Sequence, residues 1–192
     1  MMGAIQSMRV EKGAEGYIGK RKKVDAICLL FYIVLGIIIF LSGYFITKTR
    51  ANIFTVLAVL MVLPGAKRMV ALCVMLPRKS VSHERCEKIR AIADGGTLYV
   101  DYVFTSTEKI MHLDFLLVKN GNVLGVLASS KQDEDYIKKY LTGGVHKISS
   151  HYHVSLFSED DEFVRQIRHL SQKEADKDKE KEVLEYLYSL IV

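Results

Sequence analysis

The sequence predicts an α/β protein in two parts: a hairpin of two transmembrane helices, then a domain ordered α-β-β-β-α-β-α-α around a mixed sheet. Three observations predict it. Residues 26–46 hold no charge, a second apolar run occupies 51–66, and beyond residue 96 short alternating segments are interleaved with helical patterns. The charges divide the chain in the same way. Residues 1–76 carry ten Lys and Arg against three acids, a net of +7, and residues 77–192 carry seventeen against nineteen, a net of −2. The cationic excess therefore lies beside the apolar runs. Anionic lipid headgroups near Lys20, Arg21, Lys22 and Lys23 are the expected partner, and nucleic acid is not.

Residues 1–25 read as a basic cytoplasmic N-terminus. The 21 residues of 26–46 make a helix of about 31 Å, the thickness of a bilayer core. Asp25 stands at its entry, where headgroups are in reach, and Tyr44 suits the far interface. The run is too long for a secretory signal, and no small-x-small cleavage site followed by a soluble chain appears. Residues 51–66 make a shorter span that ends near Gly65 with the help of Pro64, leaving Lys67 and Arg68 to snorkel outward. Residues 67–79 are then an interfacial linker, ended by Pro77. Cations crowd both outer flanks and are few in the turn, which has only Lys48 and Arg50. The positive-inside rule thus predicts a multi-pass protein of a bacterial-type plasma membrane with both termini in the cytoplasm.

The cytoplasmic domain is predicted over 80–192. Residues 80–94 read as a helix capped by Ser80 or Ser82, with Cys86, Ile89 and Ala93 on one face and Gly95-Gly96 as its stop. Residues 97–105 alternate as a strand. Residues 109–119 form another, with Met111, Leu113, Phe115 and Leu117 inward. "NGN" at 120–122 is a hairpin turn into 123–128, a run apolar on both faces and hence a central strand. A helix follows at 132–141, stopped by Gly143-Gly144, then a strand at 147–157 and a helix at 159–170 with acids at its N-terminus. The charge run at 174–182 reads as a solvated helical surface leading into an apolar stripe of Val183, Leu184, Leu187 and Ile191.

The order helix, three strands, helix, strand resembles the core of restriction-endonuclease-like nucleases, including the nuclease-related domains of some membrane-anchored bacterial proteins. The stretch that carries the likeness is "HLDFLLVKNGNVLGVLASSK" (112–131). The resemblance implies a metal-binding aspartate at Asp114. The family's glutamate falls near Leu127, its lysine position is Ser129, and Lys131 is displaced. A divalent cation would lack half its anionic ligands, so the implied domain is a degenerate one.

Other clusters are incomplete. His151 and His153, two apart on a strand, share a face and would need a third ligand to hold zinc; His112 and Asp114 supply it only if the strands converge. Asp101 and Asp114 make a carboxylate pair only in the right register. Cys28, Cys73 and Cys86 have no disulfide or zinc spacing, and Cys86 reads as a small core residue. The glycine pairs lack a phosphate-loop context. No catalytic, cofactor or metal residue is therefore assigned. The expected function is a non-catalytic interaction or regulatory module at the membrane, with a tethered metal-dependent nuclease or an accessory subunit of a larger membrane complex as alternatives.

Overall fold

The computed structural model describes residues 12–49, 53–170 and 177–192. They form two compact units, one from the described residues of Ile18–Lys79, the other from those of Glu11–Tyr17 together with Ser80–Val192.

In the first unit, α1 (Tyr17–Thr47) is joined to α2 (Ile53–Leu60) and α3 (Val62–Met75). Tyr17–Ile46 and Ile53–Met75 are each long and apolar enough to cross a membrane. The two runs lie antiparallel. A Cβ on Gly36 would lie 3.9 Å from the Ala58 carbonyl oxygen, Gly65 faces Tyr32, and Asp25 meets Arg68. The helix of the second run continues past Gly65. Pro64 falls in the first turn of α3, where a missing N–H breaks no helical bond, so the helix is interrupted at Met61 and continues to Met75. Asp25, expected among headgroups, is instead fully buried, with Arg21 at 3.0 Å and Arg68 at 3.1 Å. Arg68 is thus held by a counter-ion and does not simply snorkel.

The second unit carries α4 (His83–Ile92), β1 (Thr97–Thr105), β2 (Ile110–Lys119), β3 (Asn122–Leu127), α5 (Glu134–His146), β4 (His153–Phe157), α6 (Asp160–His169) and α7 (Lys177–Leu190). The sheet order is β1-β2-β3-β4, antiparallel except for the parallel β3–β4 pair. Asn120 and Gly121 both have positive φ, the two-residue turn that matches the twist of a β2–β3 hairpin. Ser82 is the N-cap of α4, yet its side chain makes no capping bond. Residues 174–176 of the charge run lie outside the described residues.

On one face α4 and α6 close a core with Cys86, Ile89, Val100, Phe115, Leu117 and Phe163 among its members. On the other lie α5 and α7: the Phe104 and Tyr140 rings meet in a tilted contact with centres 5.9 Å apart, and the Tyr102 hydroxyl donates to the Leu187 carbonyl at 2.8 Å. The strand expected over 147–157 is only His153–Phe157, because 147–150 turn off the end of α5; His146 Nε2 lies 2.9 Å from the Tyr152 carbonyl oxygen. Gly143-Gly144 does not stop α5, which runs on to His146. Gly144 is a packing glycine: a Cβ there would lie 1.9 Å from Tyr186 Oη on α7.

Gly144→Ala therefore brings two opposed effects. Helix propensity favours alanine by about 1 kcal/mol, and displacing Tyr186 costs about 1–3 kcal/mol. Urea unfolding of the full chain in detergent, followed by tyrosine fluorescence, is expected to show net destabilisation. In a Tyr186→Ala background the same change is expected to stabilise.

Candidate functional site

Strand β2 is buried from Met111 to Val118, and that buried stretch holds two titratable side chains, His112 and Asp114. Its ladder with β3 shifts by one residue between Leu113 and Phe115, a β-bulge. Leu113 and Leu116, three residues apart, both approach Gly125, which a regular strand would forbid. The expected inward set of Met111, Leu113, Phe115 and Leu117 is accordingly split, with Phe115 and Leu117 in the α4/α6 core. Asp114, the residue inside the bulge, turns to the same side as Phe115.

Arg85 of α4 meets it there. Its Nη1 donates to Asp114 Oδ2, its Nε and Nη2 donate to Asp160 at 2.5 and 2.6 Å, and its guanidinium carbon sits 5.2 Å from the centre of the Phe115 ring. One planar fork thus ties α4, β2 and the first turn of α6. Arg85 is held more firmly protonated than an ordinary arginine, first by its bonds to Asp160 and also by Asp114. Asp114 responds the other way from a simple ion-pair partner. Burial raises its pKa, and the Arg85 bond and charge only partly oppose that. His112 Nε2 is 4.0 Å from Asp114 Oδ1, and the Gln132 side chain bonds both backbone groups of His112 at 2.8 and 2.7 Å.

Asp101 lies opposite Asp114 in the register, between the pairs Val100–Phe115 and Tyr102–Leu113. It is fully buried with φ +55°, a left-handed backbone that aspartate tolerates better than most residues. Its Oδ1 accepts from the Val81 N–H at 2.9 Å, so the two carboxylates serve different donors.

The histidines do not converge. His153 registers with Asn122 and Leu113 with Leu127, so His153 sits at the other end of β3, about 16 Å along the strand. His151 is an exposed turn residue. Nor do the residues around Asp114 fit a divalent cation. Arg85 already supplies the positive charge, and the β3 position that would carry a second carboxylate is the buried Leu127. Ser129 and Lys131 lie beyond β3, Lys131 lining a shallow recess of about 370 Å³ with Lys109, Gln132 and Tyr136.

A second cluster, unseen in the sequence because one member is 68 residues away, joins Glu15 to His83 at 2.6 Å, with Glu87 near them. Arg90 bonds Glu87 at 2.7 Å and approaches Glu15 at 3.8 Å, so a fixed cation already serves both acids. Cys86 is buried and its thiol is pushed up to about 11 chiefly by desolvation, unlike a nucleophile. A scan of protein-family models, a search of curated proteins and a search of solved structures each return no match to this chain.

Arg85→Lys keeps the charge but not the fork, and is expected to destabilise the α/β unit by about 1–3 kcal/mol in urea unfolding. Asp114→Asn carries a pH signature. A carboxyl whose folded pKa is raised loses stability as pH climbs from its unfolded value, 3.8, through the raised one. The stability difference between Asp114→Asn and wild type is therefore expected to move in favour of the variant as pH rises through that window. A difference independent of pH would contradict the burial argument.

Proposed function

We propose that this chain is a membrane-anchored, non-catalytic interaction module, its hairpin crossing the plasma membrane twice and its α/β unit acting at the cytoplasmic face. The observation that carries the reading is the contrast between the units. Of the 24 large apolar side chains exposed among the described residues, 22 lie between Ile27 and Leu76, while the α/β unit has an apolar core and salt-bridged acids. Apolar helices with so much outward surface call for lipid as their solvent. The cations at Lys20, Arg21, Lys22 and Lys23 would then lie against anionic headgroups, and the turn with Lys48 would face outward.

The non-catalytic part rests on Arg85. With both Asp114 and Asp160 committed to one guanidinium, the unit holds its acids as structural crosslinks. The nuclease-like alternative draws on the element order and on the bulge that singles out Asp114, but it needs Arg85 displaced.

Two measurements test this. In intact cells, an impermeant maleimide is expected to label Lys48→Cys, and to label Ser129→Cys only after permeabilisation, with the protein resisting carbonate extraction. Release by carbonate or the reverse labelling would overturn the anchor. The purified full chain with Mg²⁺ or Mn²⁺ is expected to leave DNA and RNA intact. Hydrolysis that disappears in Asp114→Ala would restore the enzymatic alternative.

A further inference from the structure

The two edges of the sheet are treated differently. The outer edge of β1 is covered by the chain itself: Val100 N–H donates to the Gly13 carbonyl at 2.7 Å, Val192 N–H to the Val103 carbonyl at 3.1 Å, and Phe104 bridges Ile191. The outer edge of β4 has no such cover among the described residues. His153 N–H donates to the Gly121 carbonyl at 3.1 Å on the inner side. In an unbroken parallel ladder His153, Ser155 and Phe157 therefore bond β3, and the backbone groups of Val154 and Leu156 point outward. No hydrogen bond from the described residues reaches those groups. Nor does His153–Phe157 carry the usual protections of a free edge, since it holds no lysine, no proline and no bulge.

We propose that this edge pairs with the same edge of a second copy of the chain, in an antiparallel two-fold ladder centred on Ser155. That register makes Val154 of each copy a hydrogen-bonded pair with Leu156 of the other, so all the outward groups of β4 are satisfied at once. Centring on Val154 instead would recruit Tyr152, whose N–H bonds the Ser149 carbonyl at 3.4 Å and whose carbonyl faces His146. Centring on Leu156 would recruit Ser158, beyond the strand. The side chains agree with the central register. His153 falls opposite Phe157 and the small Ser155 lies on the axis, so no like charges oppose within the strand. This self-complementarity favours a second copy over a foreign strand. The pairing does not depend on the membrane anchor.

The test uses the full chain in detergent micelles, with Cys28, Cys73 and Cys86 replaced by alanine and the fold checked by circular dichroism. On the axis, a non-hydrogen-bonded pair sets two Cβ atoms about 4.5–5.5 Å apart. Ser155→Cys is expected to oxidise to a dimer with a 155–155 crosslink identified by mass spectrometry, whereas Ser129→Cys is not. Wild type is expected to show the mass of two chains. Ser155→Lys, which opposes two cations on the axis, is expected to show the mass of one. Val154→Pro removes an outward N–H without touching the β3 ladder, and should likewise halve the mass. A wild-type monomer at micromolar concentration, or a dimer indifferent to both substitutions, would overturn the proposal. So would a monomer whose Val154 and Leu156 amides are protected from exchange only by another protein, which would give the edge to a foreign strand.

Discussion

A strand buried on both faces has to be enclosed, and in the α/β unit that strand is β2. Between Met111 and Val118 water is excluded by β1 and β3 at its sides, α4 and α6 on one face, and α5 and α7 on the other. Such a strand has no cheap place for a charge, yet it holds Asp114. The bulge resolves the conflict by turning Asp114 toward Arg85, which reaches in from α4 with its guanidinium carbon 5.2 Å from the Phe115 ring centre. Asp160 then fixes the other side of the guanidinium, so the link that neutralises β2 also sets where α6 begins. Because burial wins over the ion pair at Asp114 itself, the fork supports the fold mainly through Asp160 and through the hydrogen bond. That division is what a structural crosslink would show.

Much of this was legible in the residues. The alternation of 97–105, the Asn-Gly turn and the doubly apolar 123–128 announce neighbouring strands joined by a hairpin, and the apolar stripes of 80–94 and 159–170 announce helices beside them. The bulge was not legible, because a period of two read across Asp114 assigns Leu113 and Phe115 to one face, and nothing local marks where the count slips. Paired glycines misled for a related reason. Gly95, with φ +76°, follows a helix end, while Gly144 sits inside a helix to admit Tyr186, and only tertiary packing separates the two uses. His151 and His153 share a sequence neighbourhood with strand β4 but lie at the end of the sheet away from Asp114. Parallel pairing of β3 with β4 put them there, a choice not written in either segment.

The hairpin shows the same limit in a different setting. Reading Lys67 and Arg68 as the end of an apolar run follows from the cost of a lone cation in lipid, on the order of 2.5–3.5 kcal/mol at the centre of a span. The premise fails for Arg68 because Asp25 is waiting on α1, and Arg21 one turn earlier completes the group. A charged pair between antiparallel helices also fixes their register, as do Gly36 against Ala58 and Gly65 against Tyr32, where small residues let the helices approach. The helix runs on to Met75 with Arg68 matched by Asp25.

The treatment of the sheet edges follows from where the chain must go. Residues 12–17 lie along β1, and the Tyr17 hydroxyl donates to the Val192 carbonyl. Lys12 donates to the neighbouring Ile191 carbonyl and lies over the Tyr188 ring. Edge β1 is thus closed by two pieces of chain far apart in sequence, each bonded to the other. Covering β1 in this way removes a sticky edge. Strand β4 has no comparable duty. It is followed directly by α6, whose position is already set by Arg85 and Asp160, so the fold gains nothing intramolecular from covering that edge. A strand without lysine, proline or bulge, left open at the edge the monomer does not use, is where association would add hydrogen bonds without disturbing any that fold the monomer.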